Sequence, residues 1–208
     1  MDKKKIGLFW LRDDFRLIKN DGLIEATKNH DQVVVFYLYK EHTFKEQEAQ
    51  KWWLSKSLLN FKKTLSDLNI NLEIIETNSF KLFFDKLIKR NDFDIYWNKV
   101  YEPDFLKFDE YLSKNLKNKK INYKIFKGNT LNETDEIKKN DGTPFKVFTP
   151  FWRNAEKHFI EKIPPKDQII KKCKKKITYF KKVVPPSKDE IKRHNEYLNK
   201  HLKKNYFN

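Results

Sequence analysis

The chain has 208 residues with a formal net charge of +16, and 38% of its residues are hydrophobic and 15% aromatic. That supplies a core despite 36% charged residues and argues against whole-chain disorder. No apolar run reaches the length of a membrane span, the single Cys173 excludes an intrachain disulfide and a cysteine-based zinc site, and four glycines cannot build a glycine-rich phosphate loop.

The first 127 residues alternate between two hydrophobic periods. The continuous apolar run Ile6-Gly7-Leu8-Phe9-Trp10 predicts a strand buried on both faces, and Asn20 to His30 predicts a helix with Leu23, Ile24 and Ala26 at helical spacing. Val33 to Tyr39 predicts a second strand. Gln47 to Leu68 predicts a long helix with the stripe Trp53, Leu54, Ser57, Leu58, Phe61 and Leu65. Trp52 and Trp53 point about 100° apart on it, which predicts one in the core and one facing a cleft or a partner. A strand at Leu72–Ile75, a helix at Ser79–Arg90, a strand at Asp94–Trp97, a helix at Asp104–Leu116 behind Pro103 and a strand at Tyr123–Phe126 follow.

This alternation predicts an α/β fold: a doubly wound, Rossmann-like, five-stranded parallel sheet with helices on both faces, followed by a partly helical C-terminal tail. Such sheets bind ligands beyond the carboxyl ends of their strands, which here means Leu11–Asp14, Tyr39–His42 and Asn98–Glu102. After residue 127 the pattern stops. A turn-rich loop, an aromatic run Phe145–Trp152 and a helix from Pro150 to about Ile160 lead to Pro164-Pro165 and a lysine-rich stretch. The expected division is 1–130 for the α/β domain, 131–163 for an interdomain loop and helix, and 164–208 for a lysine-rich linker or tail.

The charge suggests nucleic-acid binding, but only Arg12, Arg16, Arg90, Arg153 and Arg193 are arginines among 45 basic residues. Lysine, asparagine, isoleucine and phenylalanine share AT-rich codons, so genome composition competes with a functional basic face as the explanation. The cluster Lys171, Lys172, Lys174, Lys175, Lys176, Lys181 and Lys182 reads as a solvated face. The short apolar N-terminal run does not fit a signal peptide, so a cytoplasmic location is expected.

Three segments go further: Phe9-Trp10-Leu11-Arg12-Asp13-Asp14-Phe15-Arg16-Leu17, Trp97-Asn98-Lys99-Val100-Tyr101-Glu102-Pro103 and Phe145–Trp152. In this order, with Lys51–Leu58 between them, they resemble the N-terminal α/β domain of the DNA photolyase and cryptochrome family over residues 5 to about 160. The resemblance implies an antenna domain whose chromophore is a flavin, a deazaflavin or a folate. It also implies a separate helical domain, absent from these residues, that holds catalytic FAD and damaged DNA for light-driven repair. On that reading the chain is a non-catalytic part of a deoxyribodipyrimidine photolyase or a cryptochrome. Asp104-Phe105 stands where folate-binding members often have Asn-Glu, which ranks flavin or deazaflavin above folate.

Candidate chromophore contacts are Leu11, Arg12, Asp13, Tyr37, Tyr39, Asn98, Tyr101 and Glu102, and candidate interdomain residues are Arg16, Phe148, Phe151 and Trp152. Each has a plainer role. Arg12 or Arg16 can brace the strand ends by pairing with Asp14 or Glu102, Asn98 can satisfy loop backbone, Tyr101 and Glu102 can be structural, and His42 reads as a surface residue. A stand-alone nucleotide- or flavin-binding module and a basic nucleic-acid-binding accessory protein are the competing functions. No hydrolytic triad or paired-histidine metal site is evident.

Overall fold

The computed structural model describes residues 5–39, 48–130, 132–133, 136–158 and 170–180. His42, Lys181, Lys182, the two prolines at 164–165 and everything after residue 180 lie outside the described residues. The elements run β1 (Ile6–Leu11), α1 (Asp21–Asn29), β2 (Val33–Tyr39), α2 (Glu48–Asp67), β3 (Asn71–Glu76), α3 (Phe80–Ile88), β4 (Phe93–Asn98), α4 (Pro103–Asn118), β5 (Tyr123–Phe126) and α5 (Phe148–His158). The five strands form one sheet in the order β3-β2-β1-β4-β5, and every pairing is parallel. The doubly wound sheet expected from the sequence is therefore the observed fold.

Parallel strands need long crossovers, and these helices cover both faces. On one face Phe9, Val33, Val35 and Leu72 pack against Leu23 and Ala26 of α1 and Leu58, Phe61 and Leu65 of α2. On the other, Trp10, Phe36, Ile95 and Trp97 pack against Phe84 and Leu87 of α3 and Leu112 and Leu116 of α4. Caps set the helix starts. The Asn20 side chain accepts from Leu23 N at 3.2 Å, Ser79 accepts from Leu82 N, and Pro103 opens α4 where its missing N–H costs nothing. No described helix is long and apolar enough to cross a membrane.

Three local expectations change. α5 starts at Phe148, two residues before the expected Pro150, which still lies in the first turn where a proline ring is tolerated. Neither Trp52 nor Trp53 is in the core. The inward stripe of α2 is Leu58, Phe61 and Leu65, so Trp53 is left 68% exposed with the half-buried Trp52 stacked on it, ring centroids 5.7 Å apart. Third, residues 170–180, placed by their lysines in a linker, form a strap bonded to the domain.

The strap crosses the amino-terminal edge of the sheet. Ile170 and Cys173 are buried against the α1/α2 side, and Tyr179 is buried against the α3/α4 side with Ile177 and Phe180 half-buried beside it. α3 carries the chain from β3 back to β4, so β2 and the edge strand β3 are partly bare on that face, and Phe180 packs there with its ring tilted against Phe36 and Phe83. Glu73, fully buried in β3, holds the strap down. Its carboxylate accepts from Tyr179 N and Phe180 N, both at 2.7 Å, and from the Asn71 side chain at 3.1 Å. Cys173 N donates to Leu68 O and Lys174 N to Asp31 O, fixing the other half.

Candidate functional site

The carboxyl ends of β1 and β2 and the start of α4 enclose a cleft of about 260 Å³. Its wall consists of Trp10, Leu11, Arg12, Asp13, Tyr37, Leu38, Tyr39, Phe80, Glu102 and Phe105. Six of the eight candidate chromophore contacts, namely Leu11, Arg12, Asp13, Tyr37, Tyr39 and Glu102, therefore meet in one place. Asn98 and Tyr101 are not among its lining residues.

Strand order reverses between β1 and β4, and the fold rule points to the crevice there. Asp14, Asn98, Lys99 and Gly128 line that point, but the space is only about 40 Å³, on the scale of a few waters. Asn98 fills it with internal bonds. Its amide donates to Asp14 and Asn20, and its oxygen accepts from Gly22 N at 3.3 Å. A Cβ on Gly22 would sit 2.6 Å from that oxygen, so glycine lets α1 approach β4 here. Tyr101 likewise accepts from Gly128 N at 3.2 Å through its phenol oxygen. Both residues brace loops.

Arg12 dominates the cleft wall. Its side chain is only 4% exposed and forms a two-pronged ion pair with Asp109 of α4, one contact being Nη1 to Oδ2 at 3.2 Å. The guanidinium lies 4.0 Å from the Trp10 ring and 5.2 Å from Phe105, so its planar faces cover aromatic surface. Burial pulls its pKa below the ordinary value, and the Asp109 hydrogen bond and charge oppose that pull. Its Nε has no hydrogen-bond partner among the described residues. Arg16 takes the expected Asp14 at 3.0 Å and also reaches Gly128 O. The sequence offered Asp14 or Glu102 as Arg12's partner; the actual one is 97 residues away. Asp109 interrupts the apolar stripe Phe105, Phe108, Leu112 and Leu116 of α4, and a charge on an inward stripe was the available signal.

Burial, with a contribution from Asp13, pushes the Tyr37 phenol well above its usual range, so Tyr37 is a neutral hydroxyl. The cleft thus combines aromatic and aliphatic faces, two phenols and one paired cation. Sequence reasoning missed the linings Trp10, Leu38 and Phe80, which look like core residues in the strand and helix patterns. On α5, Phe148 is 71% and Trp152 50% exposed with their rings stacked at 6.1 Å, while Phe151 is half-buried against Phe145. The interdomain candidates are thereby placed on one open aromatic face, with Arg16 on a separate loop.

A doubly wound parallel sheet with an aromatic cleft beyond its carboxyl edge defines a Rossmann-like α/β domain. The profile of DNA photolyase matches residues 7–168, and the chain belongs to that family. It is 27% identical over 149 residues to a deoxyribodipyrimidine photo-lyase of Agrobacterium fabrum, a match covering 72% of this chain and 31% of that protein. A crystal structure of a bacterial class III photolyase from Agrobacterium tumefaciens superposes with a TM-score of 0.70 at 25% identity, covering 94% of this chain and 38% of that one. An archaeal photolyase from Sulfolobus tokodaii, described with two FAD molecules and the implication of a novel light-harvesting cofactor, shares the fold with a TM-score of 0.60 at 23% identity. That match covers 73% of this chain and 35% of that one. The match spans between 22% and 34% of the length of the curated relatives.

Proposed function

We propose that this chain is the antenna domain of a photolyase or cryptochrome, non-catalytic in itself, with its chromophore in the cleft between β1, β2 and α4. The observation that carries the proposal is the convergence of Leu11, Arg12, Asp13, Tyr37, Tyr39 and Glu102 around that cleft. The residues fit a flat conjugated ring. Leu11, Tyr37, Tyr39 and Phe105 offer faces and edges for it, and the protonated Tyr37 hydroxyl can donate to a ring carbonyl. A bound chromophore would absorb light and pass the excitation on; the protein's part is to hold it, orient it and limit water around it.

Flavin or deazaflavin ranks above folate. A carboxylate at position 105 could accept from a pterin amino group, but Phe105 presents only an aromatic ring to the cleft and to Arg12. The open aromatic face of α5 supports a covering partner. We assign that role to an FAD-holding helical domain, with residues 131–163 as the junction and DNA as the substrate of the whole assembly. Fluorescence titration of the chain with FMN, a 5-deazaflavin and methenyltetrahydrofolate tests the ranking. At about 260 Å³ the cleft is below the usual range of small-molecule sites, which starts near 300 Å³. Flavin and deazaflavin are therefore expected to bind more weakly than about 1 μM but more tightly than folate. Folate binding tighter than either would overturn the ranking, and no binding of any of the three at millimolar concentration would overturn the site.

A further inference from the structure

The charges of the two sheet edges differ. The carboxyl edge mixes signs, with Asp13, Asp14, Glu76, Glu102, Asp104 and Glu133 beside Arg12, Arg16, Lys19, Lys99 and Lys127. At the amino-terminal edge the crossover helices end, with Lys28, Lys86 and Lys117 in the last turns of α1, α3 and α4. Lysines at helix C-termini offset the helix dipoles, and that explains these three. It does not explain the strap, which is not helical and crosses the same edge with Lys171, Lys172, Lys174, Lys175 and Lys176 all exposed.

Codon bias can raise the number of lysines but does not place them. The strap buries Ile170, Cys173 and Tyr179, and this turns the intervening lysines outward. Lys174 pairs with Asp31 and Lys176 donates to Ser66, whereas the ammonium groups of Lys171, Lys172 and Lys175 have no partner among the described residues. The backbone beneath them is tied to Leu68, Asp31 and Glu73, so the cations form a fixed strip. Little chain entropy remains to be lost when it is engaged.

We infer that this edge docks a nucleic-acid backbone, reading charge alone. Protein partners bind through buried aromatic and arginine anchors, and amphipathic membrane binding needs an apolar face. Among the described residues, the exposed large apolar side chains lie elsewhere: in the loop after β1, along α2, at the start of α3 and around α5. The exposed cations of the strap are all lysines, point charges suited to phosphate; Arg90 at the same edge is engaged by Tyr179 O at 3.3 Å, Asp92 at 3.4 Å and the Tyr179 ring at 3.7 Å, so its forked donor is already committed within the domain. This inference is independent of the cleft and of its chromophore.

The test is fluorescence anisotropy of the full chain with a labelled 20-base-pair duplex of mixed sequence, between 50 and 200 mM salt. Engagement of about four phosphates predicts a log–log salt slope near −3.6 and a loss of affinity on the order of 100-fold over that range. Replacing Lys171, Lys172 and Lys175 by Gln is expected to flatten the slope by about 2 to 3 and weaken binding at least tenfold at 50 mM. The charge-matched control, with Lys107, Lys138 and Lys146 replaced by Gln, is expected to stay within about twofold, since these lie away from the edge. Equal losses in both triples would reduce the effect to net charge and overturn the inference. So would absence of salt-dependent binding by the unmodified chain. Stronger competition by poly-glutamate or phosphatidylserine vesicles than by unlabelled duplex at equal charge would also overturn it, in favour of an acidic protein or a membrane.

Discussion

Replacing Asp109 by Ala should unfold the cleft wall before anything else. The Arg12–Asp109 pair has side chains only 4% and 8% exposed, so the substitution leaves a guanidinium buried without its counter-charge. Removing one partner of a buried pair costs about 3–5 kcal/mol, a large part of the roughly 5–15 kcal/mol that holds a domain folded. The urea midpoint should fall accordingly with the slope unchanged. Arg12→Met combined with Asp109→Leu removes both charges and keeps volume on both sides, and should return to within about 1 kcal/mol of the unmodified protein. That double variant separates stability from function. It folds, but the guanidinium that closes the wall between Trp10 and Phe105 is gone, and FMN affinity should drop about tenfold, equivalent to about 1.4 kcal/mol. A loss below about 1 kcal/mol in Asp109→Ala would refute the reasoning, because it would mean that the pair is hydrated in solution. Undiminished FMN binding by the stable double variant would remove Arg12 from the site.

Other outcomes follow from the same geometry. Glu73→Ala orphans the N–H groups of Tyr179 and Phe180, should cost about 2–4 kcal/mol, and should speed amide hydrogen exchange selectively in residues 170–180. Asp85 has its pKa lowered chiefly by the Tyr111 hydroxyl and then by Lys81. A carboxylate with a depressed folded pKa adds stability above its unfolded value near 4, and that stability is lost as pH falls through the folded pKa. Tyr111→Phe should therefore raise the Asp85 pKa towards the ordinary carboxylate range in an NMR titration, and its cost to stability should be largest at neutral pH and shrink as pH falls through the folded pKa. Illumination of the chain with dimer-containing DNA and added reduced FAD should give no repair above the free-flavin background; turnover above it would contradict a non-catalytic domain.

The sheet was legible because β1 and β2 are continuous apolar runs, β3, β4 and β5 are apolar between their ends apart from Glu73, Asp94 and Lys124, and each crossover carries a helical stripe. The site was legible as an edge but not as a shape. The rule for doubly wound sheets names the strand ends, yet it does not say that Asn98 would satisfy itself on Gly22, Asn20 and Asp14 and leave the wider space one strand over. Arg12's partner was hidden because an ion pair spanning 97 residues leaves no local pattern. The strap was hidden by its own composition. Its buried residues are spaced too irregularly between lysines for either period, and the acceptor that holds them, Glu73, reads as an oddity inside the apolar strand β3.

The central claim is that a flat chromophore occupies the cleft beyond β1 and β2, and amide chemical-shift mapping of the isotopically labelled chain with FMN tests it most directly. The account predicts shifts concentrated at Leu11, Arg12, Asp13, Tyr39 and Phe105, with little change at Asn98 and none along residues 170–180. Shifts centred on Asn98 and Gly128, or confined to the amino-terminal edge, would contradict it.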